Sequence, residues 1–324
     1  MTSVRRRVAT TLLRSATINR AVRALARFRR HRLVLVYHRL GPSAPSGCEI
    51  VPSVPVDLFR AQLQALGELY DLVTLDDILF EDRSQGEAVS RRGRAAIAVT
   101  FDDDLPSHAE HALPVLRELG VPAAFFLSGR ALHGLGPYWF QQLEALLVAH
   151  GERRAAALLH LSGRRAGEMV LACVANAHLR RRVRDLSAGL PAPRILERDA
   201  ITALSTGGMT IGFHTVEHDV LPELRGNDLD HAVSRGREDL AIAAGAGVHY
   251  FAYPYGKADT RAAAAVCRAG FKAAFTGSPQ PVRDGVDRHR LGRWEPGPLD
   301  IDELLVNVAV RLHRLGLQST QRHC

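Results

Sequence analysis

The sequence predicts an α/β protein with a largely parallel sheet or barrel and a helical insertion. Three observations predict it. Short apolar runs of β type alternate with stretches of helical periodicity, the pattern of β-α-β units. The run 97–101 (Ile-Ala-Val-Thr-Phe) leads directly into three carboxylates, Asp102, Asp103 and Asp104. Residues 137–200 have a different texture, rich in Ala, Leu and Arg with few β-branched runs, and read as helices.

Taken in order, residues 33–37 (Leu-Val-Leu-Val-Tyr) form the first strand, which ends at His38. A Pro/Gly/Ser-rich loop, 41–55, follows. Phe59, Leu63, Leu66 and Tyr70 then recur at helical spacing. Residues 72–75 are a short strand, and 76–79 start another helix. A charged loop, 81–94, leads into the central strand, 96–101. Residues 109–119 are a helix with Pro114 inside it, so a kink or a late start is expected; Gly120 ends it. Residues 121–127 (Val-Pro-Ala-Ala-Phe-Phe-Leu) are another buried strand. The helical stretch 137–200 shows no fixed repeat and is closed by Pro191 and Pro193. The remainder reads as a short helix (201–204), a strand (209–213) ending at His214, a helix (230–244), a strand (249–253) ending in Pro-Tyr-Gly, a helix (260–269), a strand (273–276) and a final amphipathic helix (299–315).

Three stretches carry chemistry. A continuous apolar run bounded by turn signals is what a strand buried on both faces looks like. Its carboxyl end is where parallel α/β folds build sites. Three adjacent carboxylates repel, and a metal ion is the economical cation to compensate them; a solvated turn that caps the next helix is the alternative. The second stretch, Gly-Phe-His-Thr-Val-Glu-His at 212–218, sets His214 and His218 four apart. In a helical turn that spacing puts both rings on one side, where they can share an ion. Among fifteen histidines the pair alone is a weak signal, but it follows a strand. The third stretch is Phe-Ala-Tyr-Pro-Tyr-Gly at 251–256. Pro254 and Gly256 fix a turn that either aims backbone N–H groups into a cavity or ends a strand and does no more.

Composition narrows the function classes. The 324 residues are 46% hydrophobic and 23% charged, enough for an ample core without disulfides. Cys48, Cys173, Cys267 and Cys324 are scattered, with no Cys-x-x-Cys pair to suggest a zinc knuckle or a disulfide framework. The net charge of +8 is a property of one end: residues 1–32 hold ten arginines and no acid, which leaves 32 basic against 34 acidic residues elsewhere. No basic stripe marks a nucleic-acid-binding body. Between those arginines Val8, Leu12, Leu13, Ile18, Val22, Leu25 and Phe28 recur at roughly helical spacing, so residues 1–32 are expected to form a basic amphipathic segment able to touch an anionic membrane. The arginines interrupt any signal-peptide core, and no run is long enough to span a bilayer. The expected location is the cytoplasm, or the inner face of the membrane as a peripheral protein.

Together the three motifs resemble those of the polysaccharide deacetylases of the NodB-homology type, carbohydrate esterase family 4. That family carries Thr-Phe-Asp-Asp-Gly, then His-Ser/Thr-x-x-His, then Pro-Tyr-Gly; here these stand at 100–104, 214–218 and 254–256. The resemblance covers about residues 33–295. It implies a distorted (β/α) barrel with fewer than eight strands, here spanning 33–315 and interrupted by the helical insertion at about 137–200. It implies that Asp103, His214 and His218 hold a divalent ion, zinc foremost, and that Asp102 is the general base. One carboxylate and two imidazoles leave positions open for water and substrate, as catalytic zinc requires. The backbone N–H of Tyr255 would hold the oxyanion. The expected activity is removal of N-acetyl groups from an amino sugar in a glycan or glycolipid.

The sequence also departs from the family pattern. Asp104 replaces a glycine, which adds a carboxylate near the site. The arginine many members carry before Pro-Tyr is missing, Ala252 and Tyr253 standing there; Arg293, in Arg-Leu-Gly-Arg-Trp, is the candidate to fill the gap. The opening Tyr37-His38 strand resembles a branch in which that histidine replaces the family's later acid, making His38 the candidate proton donor to the leaving amine. His313, in Arg-Leu-His, lies in a helical pattern and reads as an ordinary helix residue. Asp104 and Ala252 keep open a catalytically inactive relative that binds glycan or scaffolds polysaccharide synthesis. A binder driven by the basic segment is a further class. The oligomeric state is left open.

Overall fold

A computed structural model describes residues 32–313 except 46–47, 80–93 and 162. Strand β1 (Arg32–Tyr37) is followed by β2 (Arg39–Leu40), β3 (Ser53–Val54), helix α1 (Val56–Leu69), β4 (Asp71–Leu72) and α2 (Leu75–Leu79). Next come β5 (Ala96–Asp102), a π-helical turn (His108–Ala112), α3 (Leu113–Leu119) and β6 (Ala123–Leu127). The helical stretch holds α4 (Trp139–Leu158), α5 (Ala166–Ala175) and α6 (Ala177–Ser187), after which α7 (Arg198–Thr206) leads to β7 (Thr210–Phe213). The chain continues through α8 (Asn227–Ser234), α9 (Arg237–Ala244), β8 (Tyr250–Ala252), α10 (Thr260–Arg268), β9 (Ala273–Phe275) and α11 (Ile301–His313).

The main sheet is parallel, in the order β1-β5-β6-β7-β8-β9, with β4 paired to the start of β5; β2 and β3 form a separate pair. It curls, as the expected distorted barrel requires. Residues 291–294 span its two ends: Leu291 bridges to Phe275 of β9, and Trp294 to Leu35 of β1.

Side chains alternate across each strand. Leu33, Leu35, Ile97, Val99, Phe101 and Phe125 face out and pack under the helices. Val34, Ala98, Ala124, Phe126, Ala252 and Phe275 face in. Inward alanines leave the curled interior room for the two phenylalanines. Carried to the strand ends, the same alternation sends His38, Asp102, His214, Arg293 and Glu295 inward at the carboxyl end of the sheet. Helices α4–α6 have a core of their own, including Leu143, Leu146, Leu147, Met169, Cys173 and Val183, with Leu105 and Val51 packed into it.

The elements differ from expectation in several places, among them the strand β3 inside the loop expected at 41–55 and the helix expected at 201–204, which runs Arg198–Thr206. The strand expected at 72–75 stops at Leu72, because Thr74 and Asp77 cap α2 reciprocally: the Asp77 N–H donates to Thr74 Oγ1 and the Thr74 N–H to Asp77 Oδ2, both at 3.1 Å. The helix expected at 109–119 opens as a π turn, which places Pro114 in the first turn of α3, where its missing N–H costs nothing. The helix expected at 230–244 is two helices broken at Gly236. That residue has φ 82°, and a Cβ there would lie 2.4 Å from Val216 Cγ2 and 2.7 Å from His133 Nε2, so only glycine allows the approach. His214 and His218 lie in an irregular loop rather than a helical turn. Strand β1 starts at Arg32, whose guanidinium donates to Ile78 O at 2.8 Å and Asp284 Oδ1 at 2.5 Å. The amphipathic segment before Arg32, all but Arg94 of the loop 81–94, and residues 314–315 of the last helix lie outside the described residues.

Candidate metal centre and active site

A cavity of about 340 Å³ opens at the carboxyl ends of the strands. Asp102, the last residue of β5, points into it by strand alternation. Asp103 would then point away, but its φ of 73° breaks the alternation and turns a second carboxylate to the same side. Aspartate tolerates that left-handed conformation better than most residues. Asp104 turns elsewhere: its carboxylate accepts from the backbone N–H groups of Ser128 (2.8 Å), Gly129 (3.3 Å) and Arg130 (2.8 Å). The expected extra carboxylate near the site is therefore a fully buried anchor for the loop after β6. Burial pushes its carboxyl up to about 6 against the opposing pull of those three donors.

His214 follows β7, and positive φ at Thr215 (54°) and His218 (56°) folds the loop back so that both imidazoles meet Asp103. His218 Nε2 lies 3.3 Å, and His214 Nε2 3.7 Å, from Asp103 Oδ1. Among the described residues this is the one acidic, His or Cys cluster whose ligand atoms converge, all within 4.8 Å of one another. Donors each about 2.0–2.2 Å from a tetrahedral ion lie about 3.4 Å apart, so the spacing fits one. Asp103 Oδ1 and His218 Nδ1 are buried without a hydrogen-bond partner. The Nδ1–H of His214 donates to Ala252 O at 2.8 Å, which leaves the Nε2 lone pair facing the cluster. Burial lowers His214 to about 4, so its imidazole is neutral, as a ligand must be. Burial alone would raise Asp103, but its contact with His218 outweighs burial and holds it well below the usual carboxylate range. The donor set fits a divalent ion.

Two ion pairs flank the cluster. Arg293 Nη1 and Nη2 donate to the two Asp102 oxygens, each at 2.6 Å, with both side chains buried. Burial raises Asp102, and the guanidinium more than offsets it, keeping the carboxylate ionised. Arg293 reaches this position because residues 291–294 bridge β9 and β1. His38 Nδ1 lies 2.9 Å from Glu295 Oε1. Burial lowers His38, but the Glu295 carboxylate outweighs it and lifts the imidazole to about 9. Trp139 and Phe140 from α4, and Tyr255, also line the cavity. Tyr255 sits in the turn Pro254–Gly256 with φ 57°, and burial pushes its phenol up to about 12.

The family model for polysaccharide deacetylase matches residues 90–274, more than half of the chain. The chain belongs to the polysaccharide deacetylase family. This deacetylase is a hydrolase of amide bonds, and its substrate is an acetylated carbohydrate. No curated protein matches it. Among solved structures it is similar to the Streptococcus pyogenes deacetylase PplD in complex with acetate, at 15% identity and a TM-score of 0.60, covering 87% of this chain and 98% of that one. It is also similar to IcaB from Ammonifex degensii, at 21% identity and a TM-score of 0.57 over 87% and 97% of the two chains. A de-N-acetylase from Aggregatibacter actinomycetemcomitans matches at 16% identity and a TM-score of 0.55, over 82% and 94%. At these identities the likeness shows the fold.

In the deacetylase, all seven residues singled out from the sequence (His38, Asp102, Asp103, His214, His218, Tyr255 and Arg293) line one cavity. His313 ends α11, and its side chain lies outside what is described. Sequence reasoning missed Glu295 and Trp139. Glu295 stands two residues after Arg293, so a period-two reading of Arg-Trp-Glu would have paired them on one face. Trp139 carries no comparable signal, since nothing local ties the insertion to the site.

Proposed function

We propose that this deacetylase depends on a divalent metal ion, zinc foremost, and removes the N-acetyl group of an amino sugar in a glycan or glycolipid. The convergence of Asp103, His214 and His218 carries the reading. When bound, such an ion supplies Lewis acidity for the acetyl carbonyl and for an attacking water. The chain's own groups do the rest. Asp102, held ionised and oriented by Arg293, takes a proton from the water as it attacks the acetyl carbon. The Tyr255 N–H donates to the carbonyl oxygen as that becomes anionic. His38, kept protonated by Glu295, gives its proton to the departing nitrogen, because an amide anion is a very poor leaving group. Acetate and a free amine result. Both departures that pointed to an inactive relative have an active-site answer: Asp104 is spent on the Ser128–Gly129–Arg130 backbone, and Arg293 supplies a guanidinium to Asp102.

The test is mass spectrometry of products from a panel of N-acetylated and O-acetylated glycans, before and after chelation. Loss of one acetyl mass from N-acetylated members, stopped by chelator and restored by zinc, is the expected result. Turnover of O-acetylated members alone would overturn the substrate reading, and turnover indifferent to chelator the metal.

A further inference from the structure

Tyr255 holds a backbone conformation that an L-residue adopts only under constraint, φ 57° and ψ 12°. Three contacts supply the constraint. Its ring meets the edge of His218 at 4.6 Å between centroids. Gly256, next in the turn, approaches Gly277 so closely that a Cβ there would lie 2.4 Å from the Gly277 nitrogen. Its hydroxyl accepts a hydrogen bond of 2.9 Å from Trp139 Nε1. Trp139 is itself fixed. It opens α4, and the preceding Tyr138 is held by a hydroxyl bond to Ser128 Oγ at 2.7 Å and by its N–H to Gln141 Oε1 at 3.0 Å. Thus the insertion reaches the cavity and, through the Trp139–Tyr255 bond, pins the turn that presents the Tyr255 N–H.

We propose that Trp139 is a positioning residue for that N–H, so that the helical insertion completes the oxyanion site. The proposal rests on the reading of Tyr255 as oxyanion donor. Losing such a donor outright costs about 10²–10³-fold in kcat. Loosening it should cost less, about 10-fold, and because the donor acts in the transition state the loss falls on kcat rather than KM.

The experiment uses the full, metal-loaded chain and an N-acetylated chito-oligosaccharide. Trp139→Phe and Tyr255→Phe delete the same bond from its two sides. Each should lower kcat about 10-fold with little change in KM or metal content, and the double variant should be no worse than the worse single one. A second readout is independent of turnover. The chain has two tryptophans, so the indole N–H signal lost in Trp139→Phe is assigned by NMR, and in Tyr255→Phe that signal should shift and exchange faster with solvent. A rise in KM with kcat unchanged would make Trp139 a substrate contact only, and multiplying effects in the double variant would make the two residues independent; either overturns the proposal. If Trp139→Phe does not fold, Tyr255→Phe alone decides, through kcat and a shift with faster exchange in one of the two indole N–H signals of the chain. A wild type that releases no acetate overturns the parent reading and this one with it, whereas an active wild type with unaffected variants overturns this one alone.

Discussion

Asp102 and Asp103 are neighbours in sequence and face different partners, a guanidinium and two imidazoles. Asp102→Asn should therefore keep its metal while turnover falls by about 10²–10⁴-fold, the usual worth of a general base; metal analysis beside acetate release checks it, and joint loss of both would make Asp102 a ligand. His38 is protonated below about 9, so amide hydrolysis should decline as pH rises through that value. Glu295→Gln removes the carboxylate that raises His38 most and leaves burial, which lowers it, against the smaller pull of Asp103 and Asp102. The alkaline limb of the pH–rate profile should then move to lower pH, and a limb that stays put would remove His38 as the acid. At this scale the sequence was informative where a residue ends an alternating strand. His38, Asp102 and His214 could be placed inward because their strands were visible as apolar runs. Arg293 was found only through a resemblance, and Glu295 not at all. Residues 291–294 pair through isolated bridges rather than a strand with a hydrophobic signature, so the period-two step from Arg293 to Glu295 was not marked as belonging to a strand.

Elements place these groups, and two of their joints can be broken without replacing a site residue. Asp104→Ala would strip the acceptor from three buried N–H groups after β6. Each buried donor left unpaired costs about 1–3 kcal/mol, so destabilisation of at least about 2 kcal/mol is expected in urea unfolding, with Asp104→Asn intermediate. A change below about 0.5 kcal/mol would contradict the anchoring role. Gly236→Ala puts a methyl against Val216, inside the loop that carries His214 and His218. It should lower thermal stability and weaken metal retention together, as calorimetry and metal analysis would show. The alternating strands and most helices were legible because period and punctuation are local properties. The His-x3-His geometry was not: helical spacing suggested converging rings, whereas two residues with positive φ bring them together, and the β-branched Thr215 does not advertise that conformation. The break at Gly236 escaped for a related reason, since the close approach that demands it comes from Val216 and His133, distant in sequence.

Across the whole molecule, basic charge and catalytic machinery are separable. The body from Arg32 onward holds every site residue, while nine of the ten N-terminal arginines precede it. Removing residues 1–31 is predicted to leave turnover of a soluble substrate intact and to abolish binding to anionic vesicles. In the full chain that binding should weaken as salt rises, because exposed charges are screened over about 8 Å at physiological ionic strength. Sedimentation with vesicles at low and high salt checks this, and a full chain that stays in the supernatant at low salt would contradict it. Among the described residues no helix is long and apolar enough to cross a membrane. The central claim is that one ion held by Asp103, His214 and His218 is required for amide hydrolysis. Its most direct test is metal content and acetate release measured on the same preparations of wild type and His218→Ala, each titrated with zinc. The account predicts one ion per chain and full activity in the wild type, with tight binding and turnover both lost in His218→Ala, since two protein ligands hold a divalent ion poorly. A His218→Ala protein with full occupancy and undiminished turnover would contradict it.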